Sequence, residues 1–201
     1  MSGKNLSGCT VLEEEVKLEV MDPGYARKTL AESGFKFVKV CTEVDTYFAH
    51  PCKDFASTDE ALRLRKRICN DEESFVLTYK GPRLGVSKEI KIREEIEVHL
   101  SHDVLEALSQ ILTKLGFISI LSFSKIREIY EASDVLAYLD YIHGLGYFLE
   151  FEARTEIGKQ LIRGILNSSF GNARIVEETY LEMCLRTKKC QVNTEINGRA
   201  F

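Results

Sequence analysis

Glu13, Glu15 and Lys17 stand two residues apart near the start of this 201-residue chain, a spacing that puts all three on one face of an extended strand. The same step recurs in Arg63, Arg65 and Arg67, in Lys125 and Arg127, and in Glu150 and Glu152. Guanidinium forks match phosphate oxygens two at a time, and ammonium groups add compact positive charge. Arg63, Arg65, Lys80, Arg93, Lys125 and Arg127 are therefore candidates to grip a chain of phosphates. Alternating carboxylates, Glu13 with Glu15 and Glu150 with Glu152, offer oxygen donors suited to Mg²⁺ or Mn²⁺. Phosphoryl transfer needs mostly positioning and charge neutralisation, so it requires no Ser or His nucleophile. The sequence carries no GxSxG, HExxH or GxxxxGK[ST] pattern.

The elements that must position these groups are mostly strands. Alternation predicts them over Leu12–Val20, Phe35–Phe48, Ala61–Cys69, Phe75–Lys80, Glu89–Leu100, Ile118–Tyr130, Val135–Ile142 and Tyr147–Arg154. Helical spacing predicts Gly24–Ser33, Asp103–Leu115, Glu156–Leu166 and Glu177–Lys188. The run Asn70–Glu73 reads as a hairpin turn. The strand Glu89–Leu100 shows the pattern most clearly. Ile90, Ile92, Ile96, Val98 and Leu100 share one face, broken by Glu94; Glu89, Lys91, Arg93, Glu95, Glu97 and His99 share the other.

An internal repeat is also visible. Glu13-Glu14-Glu15-Val16-Lys17-Leu18 is echoed by Glu95-Ile96-Glu97-Val98-His99-Leu100, and Gly34-Phe35 by Gly116-Phe117, both at a separation of 82 residues. His99 takes the place of Lys17 in that repeat. Two strand–helix–strands units can close into a barrel without exposed edges. Amphipathic helices need an apolar sheet surface to cover, which sends the charged faces inward. Buried charge is tolerated when paired or when it holds a ligand. The expected fold is α+β: a closed antiparallel eight-stranded barrel with helices packed outside and a charge-lined tunnel within.

Charged residues make up 29% of the chain and hydrophobic residues 44%, with a net charge of -4, which argues against a dedicated nucleic-acid binder. No apolar run reaches the ~20 residues of a membrane span. Met1–Thr10 lacks a signal-peptide profile. The six cysteines form no CxxC pair, and Cys41, Cys69 and Cys184 lie in apolar patterns, so reduced core thiols and a cytoplasmic location are expected. Residues 1–10 are expected to be a flexible N-terminus, 11–189 one domain, and 190–201 a C-terminal tail.

Several segments together resemble the CYTH superfamily, the triphosphate tunnel metalloenzymes. They are Glu13-x-Glu15-x-Lys17, Tyr47-Phe48, Ala61-Leu62-Arg63-Leu64-Arg65, Leu77-Thr78-Tyr79-Lys80-Gly81-Pro82, Arg93-Glu94-Glu95-Ile96-Glu97, Lys125-Ile126-Arg127, Leu139-Asp140, and Gly144 through Glu152. The resemblance runs from about Leu12 to Lys189. It implies that Lys17, Arg63, Arg65, Lys80, Arg93, Lys125 and Arg127 bind substrate. It implies that Glu13, Glu15, Asp140, Glu150 and Glu152 bind metal, with Glu95 or Glu97 as a further member. Glu13, Glu15, Lys17 and Glu152 form the catalytic set. A C-terminal helix closes one tunnel mouth in the family, which makes Arg186, Lys188 and Lys189 candidates to reach the substrate.

The branch most resembled is that of class IV adenylyl cyclase-like proteins. Those cyclases carry a His-Phe pair before ExExK, where this chain reads Ser7-Gly8-Cys9-Thr10-Val11-Leu12. The expected activity is accordingly metal-dependent hydrolysis of a triphosphate, whether inorganic triphosphate, ATP or thiamine triphosphate. The alternatives are an adenylyl cyclase making cyclic AMP and pyrophosphate, and a non-catalytic module binding nucleotide or polyphosphate. The thiamine-triphosphatase branch commonly uses a Trp platform; this chain has no Trp, which leaves Tyr25, Tyr47 or Tyr79 for that role. Mg²⁺ or Mn²⁺ is the expected cofactor. A homodimer through an outer sheet face is compatible with the pattern.

Overall fold

The computed structural model describes residues 9–84, 91–153, 155–171 and 173–190, with side chains for all of these except 9–14 and 91–92. Its strands are β1 (Cys9–Val20), β2 (Lys36–Ala49), β3 (Ala61–Cys69), β4 (Glu72–Arg83), β5 (Lys91–Leu100), β6 (Ile118–Ala132), β7 (Val135–Ile142) and β8 (Gly146–Ala153). The helices are α1 (Pro23–Glu32), α2 (His102–Lys114), α3 (Glu156–Ser169) and α4 (Tyr180–Thr187). All neighbouring strands pair antiparallel in the order β1-β5-β4-β3-β2-β6-β7-β8, and β8 returns to β1, so the sheet is a closed barrel.

The repeat seen in the sequence is the repeat of the fold. The run β1-α1-β2-β3-β4 is matched by β5-α2-β6-β7-β8, and exchanging the two halves reproduces the ring order. Gly34 and Gly116 end the two equivalent helices with φ of +85° and +89°, a left-handed C-terminal conformation that costs a glycine little. Asp22 caps α1 by accepting from the Gly24 and Tyr25 amides, with Pro23 at the first helical position. Asn70 and Asp71, at φ of 50° and 65°, make the two-residue turn between β3 and β4; Glu72 already pairs with Cys69 in the ladder.

The apolar faces point outward to the helices. Val16, Leu18, Leu139, Leu149 and Phe151 meet Leu30 of α1 and Ile162 and Ile165 of α3 in one core. Leu64 and Phe75 meet Leu105 of α2 in a smaller one. On β5 the apolar row is partly bare: Ile96 and Val98 are exposed, while Leu100 packs against the α2 core. At the end of the ring, Tyr47, Ala61, Phe123, Ile142 and Phe148 close around Val176, Tyr180, Met183 and Cys184, so α4 stoppers the barrel.

The cysteine expectation is corrected. Cys41 is disulfide-bonded to Cys69, and Cys184 to Cys190. Cys41 and Cys69 are 28 residues apart in sequence but directly opposite in the β2–β3 ladder, with Cα atoms 4.4 Å apart, a proximity that spacing alone does not reveal. Cys52 is free and exposed. Of the expected flexible N-terminus, Cys9 and Thr10 pair with Glu97 and Ile96; residues 1–8 and 191–201 lie outside the described set. No helix among the described residues is long and apolar enough to cross a membrane.

Candidate active site

Because successive side chains alternate, each strand sends its charged row into the lumen. A cavity of about 590 Å³ there is lined by Glu15, Lys17, Asp45, Arg63, Arg65, Arg67, Lys80, Arg93, Glu95, Glu97, Lys125, Arg127, Tyr138, Glu150 and Glu152. The inward-facing charge read from the sequence is thus assembled in one place. One wall is a closed ion network and the other is not.

The network spans β1, β2, β3, β6, β7 and β8. Arg65 donates from Nε and Nη2 to the two oxygens of Asp45 at 2.6 and 2.8 Å, and its Nη1 lies 3.1 Å from Glu43. Arg67 donates to the other Glu43 oxygen at 2.6 Å. Lys125 sits 3.3 Å from both Glu43 and Asp140. Arg127 donates to Asp140 at 2.7 Å and to Glu150 at 2.6 Å. Lys17 lies 3.3 Å from Glu150 and donates to the Glu178 carbonyl at 3.2 Å.

Burial drives the carboxyl of Glu43 upward, but Arg65, Lys125, Arg127 and Arg67 together outweigh it and hold it well below the usual range. Burial likewise raises Asp45, and the charges of Arg65 and Arg63 with the Arg65 hydrogen bond overcome this, leaving it at about 2. Glu150 is held down by Lys17 and Arg127 against its own burial. Burial and the neighbouring Arg127 charge lower Lys125 in spite of Asp140 and Glu43.

The wall formed by β3, β4 and β5 is open. Arg63 donates to the Thr78 hydroxyl at 3.2 Å and lies 3.8 Å from Glu97, while its Nε has no hydrogen-bond partner among the described residues. Arg93, equally buried, leaves Nη2 without one. Lys80 pairs with Glu95. Buried donors without partners are costly unless a ligand completes them. Arg63 and Arg93 both line the cavity, and their positive charge there is only sparsely paired.

The metal-ligand expectations divide. Glu15 and Glu152 are opposite one another in the β1–β8 ladder, both on the lumen side, and Tyr138 donates to Glu152 at 3.0 Å. Asp140 and Glu150 are instead engaged by Arg127, Lys125 and Lys17, and Glu95 by Lys80. The backbone of Glu13 pairs with Arg93, and its side chain lies outside the described set. No three His, Cys, Asp or Glu side chains among the described residues converge as a ligand set. Two oxygen-donor carboxylates in a lumen that also carries arginine and lysine fit Mg²⁺ or Mn²⁺, since such ions are commonly bound by one or two carboxylates plus substrate phosphates.

The C-terminal helix departs from expectation. Arg186 faces outward to Glu178 at 2.7 Å, and Lys188 and Lys189 are exposed. Tyr180 enters instead. Its hydroxyl donates to Asp140 at 3.0 Å, and its ring lies 3.8 Å below the Lys17 ammonium and 5.0 Å from that of Lys125. Of the expected aromatic platforms, Tyr47 lines the cavity, Tyr25 donates outward to the Ser169 carbonyl, and Tyr79 donates to Glu60. His99 is exposed.

Sequence reasoning missed Glu43, Asp45, Tyr138 and Tyr180. The signal for the first two was the row Cys41, Glu43, Asp45, Tyr47, but its alternates Thr42, Val44 and Thr46 are themselves largely polar, so the two faces contrast weakly.

Comparison with known proteins agrees with this geometry. The CYTH domain family model matches residues 12–168. A Methanocaldococcus jannaschii protein named "Putative adenylate cyclase" is 35% identical over 180 residues, covering 86% of this chain and 98% of its own. A solved Pyrococcus horikoshii protein superposes with a TM-score of 0.76 at 32% identity, over 87% of this chain and 99% of that one. A Hippeastrum protein described as a "Putative adenylyl cyclase" with a dominant triphosphatase activity shares the fold, with a TM-score of 0.65 at 20% identity over 89% of this chain and 97% of its own.

Proposed function

This chain belongs to the CYTH domain family, whose members process triphosphates with divalent metal, and we propose that it hydrolyses a triphosphate inside its tunnel. The observation that carries the reading is that Arg63 and Arg93 both line the cavity and each keeps one guanidinium nitrogen without a hydrogen-bond partner among the described residues. Arg63, Lys80 and Arg93 bind the phosphate chain. Lys17, Lys125 and Arg127, locked by Glu150, Asp140 and Tyr180, face it with fixed positive charge that needs no rearrangement as phosphoryl charge shifts. Glu15 and Glu152, with Glu13 two positions before Glu15, would hold Mg²⁺ or Mn²⁺. The metal, when bound, supplies Lewis-acid neutralisation of the phosphoryl oxygens. Closure of the barrel end by α4 limits bulk water around the reacting phosphate.

The second reading is cyclisation of ATP to cyclic AMP, supported by the name of the M. jannaschii relative. Hydrolysis is preferred because it asks only for a held phosphate and water, whereas cyclisation needs a ribose oxygen aimed at the α-phosphate. One experiment separates them. Inorganic triphosphate and ATP are incubated with the protein and Mg²⁺ or Mn²⁺, and products are resolved by phosphorus NMR. Orthophosphate from either substrate supports hydrolysis; cyclic AMP with pyrophosphate and no orthophosphate overturns it.

A further inference from the structure

The structure assigns Arg83 a positioning role: by capturing Asp59, it keeps the neighbouring Arg93 open for phosphate. This rests on the reading of the lumen as a triphosphate site. Arg83 and Arg93 are opposite in the β4–β5 ladder, two guanidinium side chains with the carboxylate of Asp59 in reach of both. Arg83 takes the hydrogen bonds of Asp59, while Arg93 keeps only a longer ion pair with it. Arg83 donates from Nε to Oδ2 and from Nη2 to Oδ1, each at 2.7 Å, and from its backbone N–H to Oδ2 at 2.9 Å. Nη2 of Arg93 stays 3.7 Å from that same Oδ1, outside hydrogen-bond reach, and has no hydrogen-bond partner among the described residues.

Arg83 is itself pinned. Its Nη2 donates to Glu182 of α4 at 3.0 Å, and Nη1 to the Glu177 carbonyl at 3.4 Å. Glu182 is fixed in turn by the capping box it forms with Thr179 at the start of α4. Asp59 and Glu182 both line the cavity, so this latch sits in its wall beside Arg93. Were Arg83 removed, the nearest strong donor left to Asp59 would be Arg93, and their contact would put a carboxylate in competition with phosphate. The two partners of this latch consequently affect the anion site with opposite sign.

Binding of imidotriphosphate, a hydrolysis-resistant analogue, is measured by calorimetry with Mg²⁺ for four proteins: wild type, Arg83→Gln, Asp59→Asn and the double variant. Asn tolerates the left-handed backbone of position 59, where φ is 55°, so Asp59→Asn keeps its loop. Arg83→Gln is expected to weaken binding about fivefold and Asp59→Asn to tighten it about threefold. The double variant should match Asp59→Asn, because Arg83 acts only through Asp59. Arg83→Lys, which keeps the charge, should fall between wild type and Arg83→Gln. In turnover, Arg83→Gln should raise KM with kcat within about twofold. General loosening of the fold would weaken binding in every variant. If both single variants weaken binding, if their effects add, or if neither changes it, the role of Arg83 is overturned while the triphosphate site stands. If wild type does not bind the analogue, both fall.

Discussion

Arg65 is where a parity reading and the structure differ most at the level of one residue. The sequence offers it as a phosphate ligand, yet its donors are taken by Asp45 and Glu43, both fully buried. Removing one partner of a buried pair leaves charge uncompensated, so Arg65→Ala should destabilise by about 3–5 kcal/mol. Urea denaturation measures this; an unchanged midpoint would mean that the network tolerates Asp45 without its guanidinium partner. Glu152 carries the opposite expectation. Glu152→Gln should leave the fold intact and raise the Mn²⁺ concentration for half-maximal rate about tenfold or more, since removing one charged ligand weakens a cation site. The basic residues were legible because Arg and Lys alternate with Leu and Ile along β3 and β6. Which of them are locked and which are open was not, because that depends on Asp45, Asp140 and Thr78 arriving from other strands.

Among the elements, α4 shows what periodicity can and cannot say. Its amphipathic pattern was readable, but a tyrosine on an apolar helix face reads as core, and only the tertiary position makes Tyr180 a partner of Asp140 and Lys17. The chain beyond the helix is seated on the β7–β8 turn. At Gly144, with φ of +84°, an added Cβ would stand 2.1 Å from the carbonyl oxygen of Lys189. Gly144→Ala therefore meets both a steric and a backbone penalty and should cost about 2–4 kcal/mol. Thermal melting gives the cost, and limited proteolysis near Lys188 and Lys189 should accelerate in the variant. Equal melting and cleavage would show that the segment has another resting place. Strand positions were read more closely than helix roles because period-two alternation with ionisable residues is hard to produce by chance over eight strands, whereas an amphipathic helix can dock on many surfaces.

For the whole molecule, the fold follows from a duplicated unit whose strands are greasy on one side and charged on the other. Ring closure was inferable from the repeat. The partly bare apolar row at Ile96 and Val98 was not, since four short helices cannot cover every strand and the sequence does not say which they omit. An interior of paired charges makes stability depend on acid. Glu43, Asp45 and Glu150 are all depressed in the folded state, Asp45 from 3.8 to about 2. A carboxyl with a lowered folded pKa contributes stability that is fully present above its unfolded value and fades as pH falls toward the folded one. The melting temperature should therefore hold level down to about pH 5 and drop between about pH 4 and pH 2. A flat profile through that window would mean that the buried pairs contribute little.

The most direct test of a tunnel built to receive a triphosphate is at Arg63 and Arg93, each of which keeps one guanidinium nitrogen without a hydrogen bond among the described residues. Arg63→Gln and Arg93→Gln are titrated with imidotriphosphate and Mg²⁺ alongside wild type, with melting temperatures recorded for each. Each substitution should cost about tenfold or more in affinity while the melting temperature stays near that of wild type, because these donors are unsatisfied without a ligand. Unchanged affinity in both variants, with wild type binding normally, would place the phosphates elsewhere and contradict the account.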